Sequence, residues 1–204
     1  RRVGDAQAVV VARGEAAALL RSGARAGDDI YVSGTLGDAR LALEALLGHI
    51  QLPDELLAQA CQRLERPTPR VALGLALRGI ASSAMDVSDG LLGDFGHILK
   101  ASGVGACIRT DETIKLIAAG AYPSSATGQF DQKLLQQCTL AGGDDYELLF
   151  TAPPQHQAAV AAAAAQSQTA VTCIGQVEAA PGLRLVDAQG MPVENRFASF
   201  DHFA

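Results

Sequence analysis

Met85-Asp86-Val87-Ser88-Asp89-Gly90-Leu91-Leu92-Gly93-Asp94 joins two different patterns. Ser83 to Val87 is a short apolar run that reads as a strand. Asp89 to Ala101 carries apolar residues at helical spacing, and Ser102-Gly103 ends the pattern. A strand feeding a helix through a polar turn sets Asp86, Ser88 and Asp89 at one junction. Asp86 falls near the strand end and Asp89 in the first helical turn, so both carboxylates can face one point. Such a junction suits a hard cation, which takes oxygen ligands and shares them with phosphate and water. The N–H groups of a helix N-terminus add a favourable field for anions. The plain alternative needs no ligand: Ser and Asp are preferred helix caps.

Outward from this junction the elements alternate without a strict βαβ rhythm. Ile30 to Ser33 reads as a strand bounded by Gly34. Asp38 to Leu47 reads as a helix stopped by Gly48, and Asp54 to Leu64 as a helix opened by Pro53. Pro67-Thr68-Pro69 breaks the chain, and Arg70 to Ile80 resumes helical spacing. Strands are expected at residues 6–12, Val104–Arg109, Tyr146–Thr151 and Val171–Val177, with a helical turn at 15–21. Leu134 to Cys138 is expected to be helical. The alanine-rich run 155–166 is expected to form an ordinary surface helix. Leu183–Val186 and Met191–Val193 flank Asp187-Ala188-Gln189-Gly190 as a terminal hairpin. Residues 111–130 carry no legible pattern. The order favours an α+β fold with a mixed sheet over a doubly wound one.

Composition narrows the function classes. The chain has 204 residues, is 49% apolar and carries a net charge of −6. That length suits one large domain with a real core. No basic cluster marks a nucleic-acid partner. No run of apolar residues is long enough for a membrane span, and the N-terminal residues lack a secretory h-region. Cys61, Cys107, Cys138 and Cys173 are far apart and form no zinc pattern, so they are expected to be reduced cytoplasmic thiols. His49, His97 and His156 are isolated and read as surface or helix-end residues. Neither a GxSxG elbow nor a Walker-type phosphate loop is present.

Two further features bear on chemistry. Gly90, Gly93 and Gly96 recur every third residue and leave one helix stripe bare. Each costs about 1 kcal/mol against alanine in a helix interior, so a close neighbour or a ligand should lie against them. A second acidic cluster, Gly142-Gly143-Asp144-Asp145-Tyr146-Glu147, follows later in the chain. Alternation puts Asp145 and Glu147 on one face and Tyr146 on the other. Its plainest reading is a solvated turn with charges on an edge strand. Phe200-Asp201-His202-Phe203 puts two aromatics in the final residues, which suggests a tail that docks on the core or over a ligand.

Taken together these segments resemble the thiamine-monophosphate kinase family of the AIR synthetase-like (PurM-like) superfamily. The matching pieces are Arg21 to Arg25 with Gly27-Asp28, Tyr31 to Asp38, Met85 to His97, Gly142 to Phe150, Ile174 to Val177, and Phe200 to Phe203. They occur in family order from about residue 17 onward. The pairing of D-x-S-D-G-L with G-G-[ED]-D-Y-E-L carries the resemblance. It implies a PurM C-terminal-domain-like layer of sheet and helices. It also implies ATP-dependent phosphorylation of thiamine monophosphate to thiamine diphosphate by in-line transfer, without a protein nucleophile. By the same resemblance Asp86 and Asp89 would bind Mg2+, Ser88 and Arg21 would bind ATP, and Asp144 and Phe200 would contact thiamine monophosphate. A homodimer is implied for the full-length protein.

The departures shape the expectation. Family members are longer, and their N-terminal half carries further aspartates of the metal cluster. Residues 1–16 match that half poorly, whereas 17–204 follow the C-terminal domain. Position 144 is Asp where the family often has Glu, one methylene longer. The chain is therefore expected to be a C-terminal domain with little kinase activity of its own. The alternatives are another AIR synthetase-like enzyme, such as a selenophosphate synthetase or hydrogenase-maturation relative, and a non-catalytic binding module.

Overall fold

The computed structural model describes residues 18–118 and 132–197 of the chain. Seven strands form one sheet: β1 (Asp29–Ser33), β2 (Ser83–Val87), β3 (Gly105–Arg109), β4 (Glu147–Ala152), β5 (Val171–Glu178), β6 (Gly182–Val186) and β7 (Pro192–Val193). Their spatial order is β2-β4-β1-β5-β3-β6-β7. Every neighbouring pair is antiparallel except β3–β6, which is parallel. The helices are α1 (Asp38–Leu46), α2 (Asp54–Glu65), α3 (Val71–Ala76), α4 (Leu91–Ser102), α5 (Thr110–Ile114), α6 (Gln132–Ala141) and α7 (Gln157–Gln166). The fold is α+β with a mixed sheet, as the sequence leads one to expect.

Alternation along the central strands divides the core in two. Ile30, Val32, Met85, Val87, Leu149 and Ile174 face α4, whose Leu91, Phe95 and Ile98 are fully buried against them. Tyr31, Ala84, Leu148 and Phe150 face the other way, toward Leu73 and Leu77 and toward Val160 and Ala163 of α7. On that face the rings of Tyr31 and Phe150 stack with centroids 5.2 Å apart. A third cluster joins Leu41 of α1, Leu56 of α2 and Cys138 of α6. Burial pushes the Cys138 thiol up to about 12, which makes it an inert packing group.

Some boundaries differ from the sequence reading, for local reasons. The helix expected over Arg70–Ile80 stops at Ala76, because the chain turns through Gly79 at φ 77°. The helix expected from Asp89 starts at Leu91, with Gly90 as its cap residue at φ 116°. The illegible segment contains α5, and α6 is longer than its apolar residues suggested. The alanine-rich α7 is not merely a surface helix, since Val160 and Ala163 are buried on α3. The terminal hairpin forms with Leu185 opposite Val193. The expected strand 6–12 lies outside the described residues, as do residues 15–17 of the expected helical turn 15–21; its remaining residues, 18–21, are not helical.

Phe95 fills the space between α4 and the sheet and has no exposed surface. Phe95→Ala is expected to cost about 3–5 kcal/mol. Leu46→Ala, at a position 59% exposed, should change stability by less than about 0.5 kcal/mol. Urea unfolding of the two variants checks both values.

Candidate functional site

The two glycine-flanked acidic motifs are one site. β2 and β4 pair through Val87 opposite Glu147, and the pairing continues beyond the sheet. The Tyr146 N–H donates to the Val87 carbonyl at 2.9 Å, and the Asp144 N–H donates to the Ser88 carbonyl at 2.9 Å. The glycines permit this contact by having no side chain. A Cβ on Gly143 would sit 2.5 Å from the Ser88 oxygen, and one on Gly90 would sit 2.9 Å from the Ala141 carbonyl carbon. Close packing thus accounts for Gly90. Gly96 has nothing within 4 Å of where its Cβ would be.

Asp94, one turn into α4, organises the first motif. Its carboxylate accepts the backbone N–H groups of Ser88 at 2.8 Å and Asp89 at 3.0 Å. Burial raises the Asp94 carboxyl above its ordinary range and the charges of Asp89 and Asp86 add to this, while the two amide bonds oppose it. Asp94 is therefore turned inward to hold the loop, which leaves Asp86, Ser88 and Asp89 half-buried at the rim.

The second motif is not a solvated turn. Asp145 and Glu147 have no exposed surface, whereas Asp144 and Tyr146 are exposed. Asp145 caps α1 from a distant part of the chain: the Gly37 and Ala39 N–H groups donate to its carboxylate at 2.7 and 3.3 Å. Burial pushes its pKa up to about 7, with Asp38 adding, against the lowering effects of the two amide bonds and Arg63. Glu147 uses its full accepting capacity. Oε1 receives Arg63 and Arg70 at 2.6 Å each. Oε2 receives Arg70 Nε at 2.7 Å and Ser33 Oγ at 2.6 Å. Ser33 Oγ in turn accepts the Leu148 N–H at 2.8 Å.

Asp144 (φ 68°) and Tyr146 (φ 52°) adopt left-handed backbone. For non-glycine residues this costs on the order of 1–3 kcal/mol each and persists only where the surroundings over-determine it. Here the two buried carboxylates and the bonds to β2 do so.

Of the residues singled out from sequence, Asp86, Ser88, Asp89 and Asp144 are brought together. Arg21 is not gathered with them by its backbone. Its carbonyl accepts Ser102 Oγ at 3.4 Å, at the far end of α4. That 12-residue helix is about 18 Å long at 1.5 Å per residue. Phe200 lies outside the described residues, though Phe197 packs against the α4-side core. Arg63, Arg70 and Ser33 carried no signal in the sequence, because their roles depend on partners far along the chain; Asp94 stood in the first motif beside its partners, but nothing in the sequence marked it as the inward-turned member.

The donor set fits magnesium of the phosphate-bound kind, which takes one or two carboxylates and completes its shell from substrate and water. Among the described residues no group of three or more His, Cys, Asp or Glu is arranged to hold a metal by itself. None of their helices is long and apolar enough to cross a membrane.

Residues 25–188 match the family described as AIR synthase related protein, C-terminal domain. The chain belongs to this family. The AIR synthase C-terminal domain here is 44% identical over 189 residues to the thiamine-monophosphate kinase of Salmonella typhimurium strain LT2. It is 40% identical to that of Escherichia coli K12. Each match covers 92% of this chain and 56% of the relative, so the chain spans just over half the length of these relatives. The crystal structure of thiamine-monophosphate kinase from Stenotrophomonas maltophilia K279a superposes with a TM-score of 0.74 at 39% identity, over 90% of this chain and 56% of that one. A structure described as AaThiL complexed with AMPPCP and TMP gives 0.70 at 32%, over 92% and 55%. Escherichia coli HypE, at 20% identity and 0.64, shares the fold.

Two predictions concern the anchors of this domain. The Asp145 carboxyl keeps its proton in the folded state up to about pH 7, whereas an unfolded Asp releases it near pH 4. Its favourable contribution is complete below about pH 4 and is lost as pH rises through about 7. The stability of the wild type relative to Asp145→Asn should therefore fall between pH 5 and 8 in urea titrations; a flat difference would contradict this. Glu147→Gln should cost about 3–5 kcal/mol, because two guanidinium groups lose their buried counter-charge.

Proposed function

We propose that this chain is the C-terminal domain of a thiamine-monophosphate kinase, which transfers the γ-phosphoryl group of ATP to thiamine monophosphate. The observation that carries the proposal is the fusion of the Asp86–Asp89 and Asp144–Glu147 motifs into one site. The supporting relatives bear that name, and one related structure is described as a complex with AMPPCP and TMP. We assign residues 17–204 to this domain and residues 1–16 to the adjoining half.

The chemistry follows from what the side chains can do. Asp86 and Asp89 would hold magnesium, which supplies charge neutralisation at the phosphate oxygens when bound. Asp94 fixes the turn that carries Ser88 and Asp89, so these groups need no reorganisation as substrate binds. Ser88 donates to a nucleotide phosphate oxygen, and the N-terminus of α4 favours the same anion. Arg21, at the far end of α4, is assigned to the nucleotide on the family resemblance of its segment alone. Asp144 and Phe200 are assigned to thiamine monophosphate. No side chain acts as a nucleophile: the acceptor phosphate attacks in line, and the protein positions and neutralises. We place the whole protein in the cytoplasm, where ATP is available and the four unpaired cysteines of this chain stay reduced. We assign it as a homodimer.

The protein expressed from its complete gene should form thiamine diphosphate from thiamine monophosphate, ATP and magnesium. Asp86→Asn with Asp89→Asn should lower kcat by about 100-fold or more while the melting temperature stays near wild type. Turnover that survives the double substitution would remove these residues from the reaction. A substrate panel that prefers another phosphoryl acceptor would move the protein to a different branch of the family. Light scattering at twice the chain mass checks the dimer.

A further inference from the structure

The strand, polar turn and helix at the β2–α4 junction have the layout of a phosphate-binding loop. In such a loop the backbone N–H groups ahead of the helix point at an anion. Here two of those donors are already taken. The N–H groups of Ser88 and Asp89 both donate to one oxygen, Asp94 Oδ2, at 2.8 and 3.0 Å. Asp94 belongs to the first turn of α4 and is only 3% exposed, so both amides are aimed into the fold. The carboxylate receives the bonds that a phosphate oxygen would otherwise receive.

Charge acts in the same direction. Asp94 feels the charges of Asp89 and Asp86, so three carboxylates share one field around the turn. The N-terminus of α4 favours an anion, but that field is already shared with a carboxylate of the chain itself. Arg63 and Arg70 are committed to Glu147. A bare polyphosphate therefore meets like charge and two amides turned away from it. A phosphate that arrives with a divalent cation meets oxygen ligands for that cation in Asp86 and Asp89. We propose that Asp94 makes nucleotide binding at this site conditional on the metal. It is an internal anion that occupies the amides of the turn, so the phosphates are held through the cation and the Ser88 hydroxyl. This deepens the functional reading above and rests on it.

Calorimetric titration of ATP into the protein expressed from its complete gene tests this, once with magnesium and once with EDTA. The wild type should bind ATP with magnesium, and at least about 100-fold more weakly in EDTA. Asp94→Asn keeps an oxygen for the two amides and removes the charge. It should strengthen binding in EDTA about tenfold. Asp94→Ala also frees the amides and should strengthen it further; where that variant fails to fold, the Asn variant decides. Asp54→Asn removes the same charge from an exposed position on α2 and should leave both affinities within about twofold. An aspartate that only held the loop would lose binding on substitution and would never gain it. Weaker or unchanged binding of metal-free ATP by Asp94→Asn would therefore overturn the proposal. So would equal affinity of the wild type with and without magnesium. A wild type that binds ATP in neither condition would overturn the functional reading itself, and the proposal with it.

Discussion

Two backbone hydrogen bonds, from Tyr146 to Val87 and from Asp144 to Ser88, carry the β2–β4 ladder past the edge of the sheet and into the loops. Everything at the candidate site is registered by them. A ladder that stopped at Glu147 would leave the acidic turn after Gly143 free to move relative to the turn before α4. Because the ladder continues, the two turns share one rigid frame, and the glycines at 90 and 143 let their backbones close to contact distance.

Charge is distributed across this frame by burial. Asp94, Asp145 and Glu147 are spent on the fold: one gathers the Ser88–Asp89 amides, one caps α1, and one binds two arginines and a serine. Asp86, Asp89 and Asp144 remain at the surface. Three carboxylates are thus less buried than the three that hold the loops in place. The arginine pair also explains how a fully buried Glu147 is tolerated, since each lone-pair position meets a donor.

Much of this was legible from the chain itself. The strand–turn–helix at Ser83–Ser102 was visible in its shift from a short apolar run to helical spacing, and the terminal hairpin in its turn residues. The alternation that buries Asp145 and Glu147 together was also visible. What it buried them against was not, so a solvated turn looked plainer than an anchored one. The partners are Gly37, Arg63 and Arg70, each far away in sequence, and the helical spacing around the two arginines says nothing of which distant carboxylate they meet. The helix in the segment after Arg109 was hidden because Thr110–Ile114 is a single short turn. The start of α4 is not legible in the spacing, because Gly90 continues the glycine stripe yet is the residue that precedes the helix.

The strand order carries a consequence for how the chain reaches this state. Among the described strands β1 is made first, yet its two neighbours in the sheet are β4 and β5, more than a hundred residues later. During synthesis β1 therefore waits with both edges open, and β2 waits as well, because its one neighbour among the described strands is also β4. Both early strands stay unpaired until β4 is made. The folding reaction is dominated by distant pairings, which are slow to close and leave strand edges open to other chains in the meantime. The ribosome and its attendant chaperones thus face a longer exposure than the size of the domain would suggest.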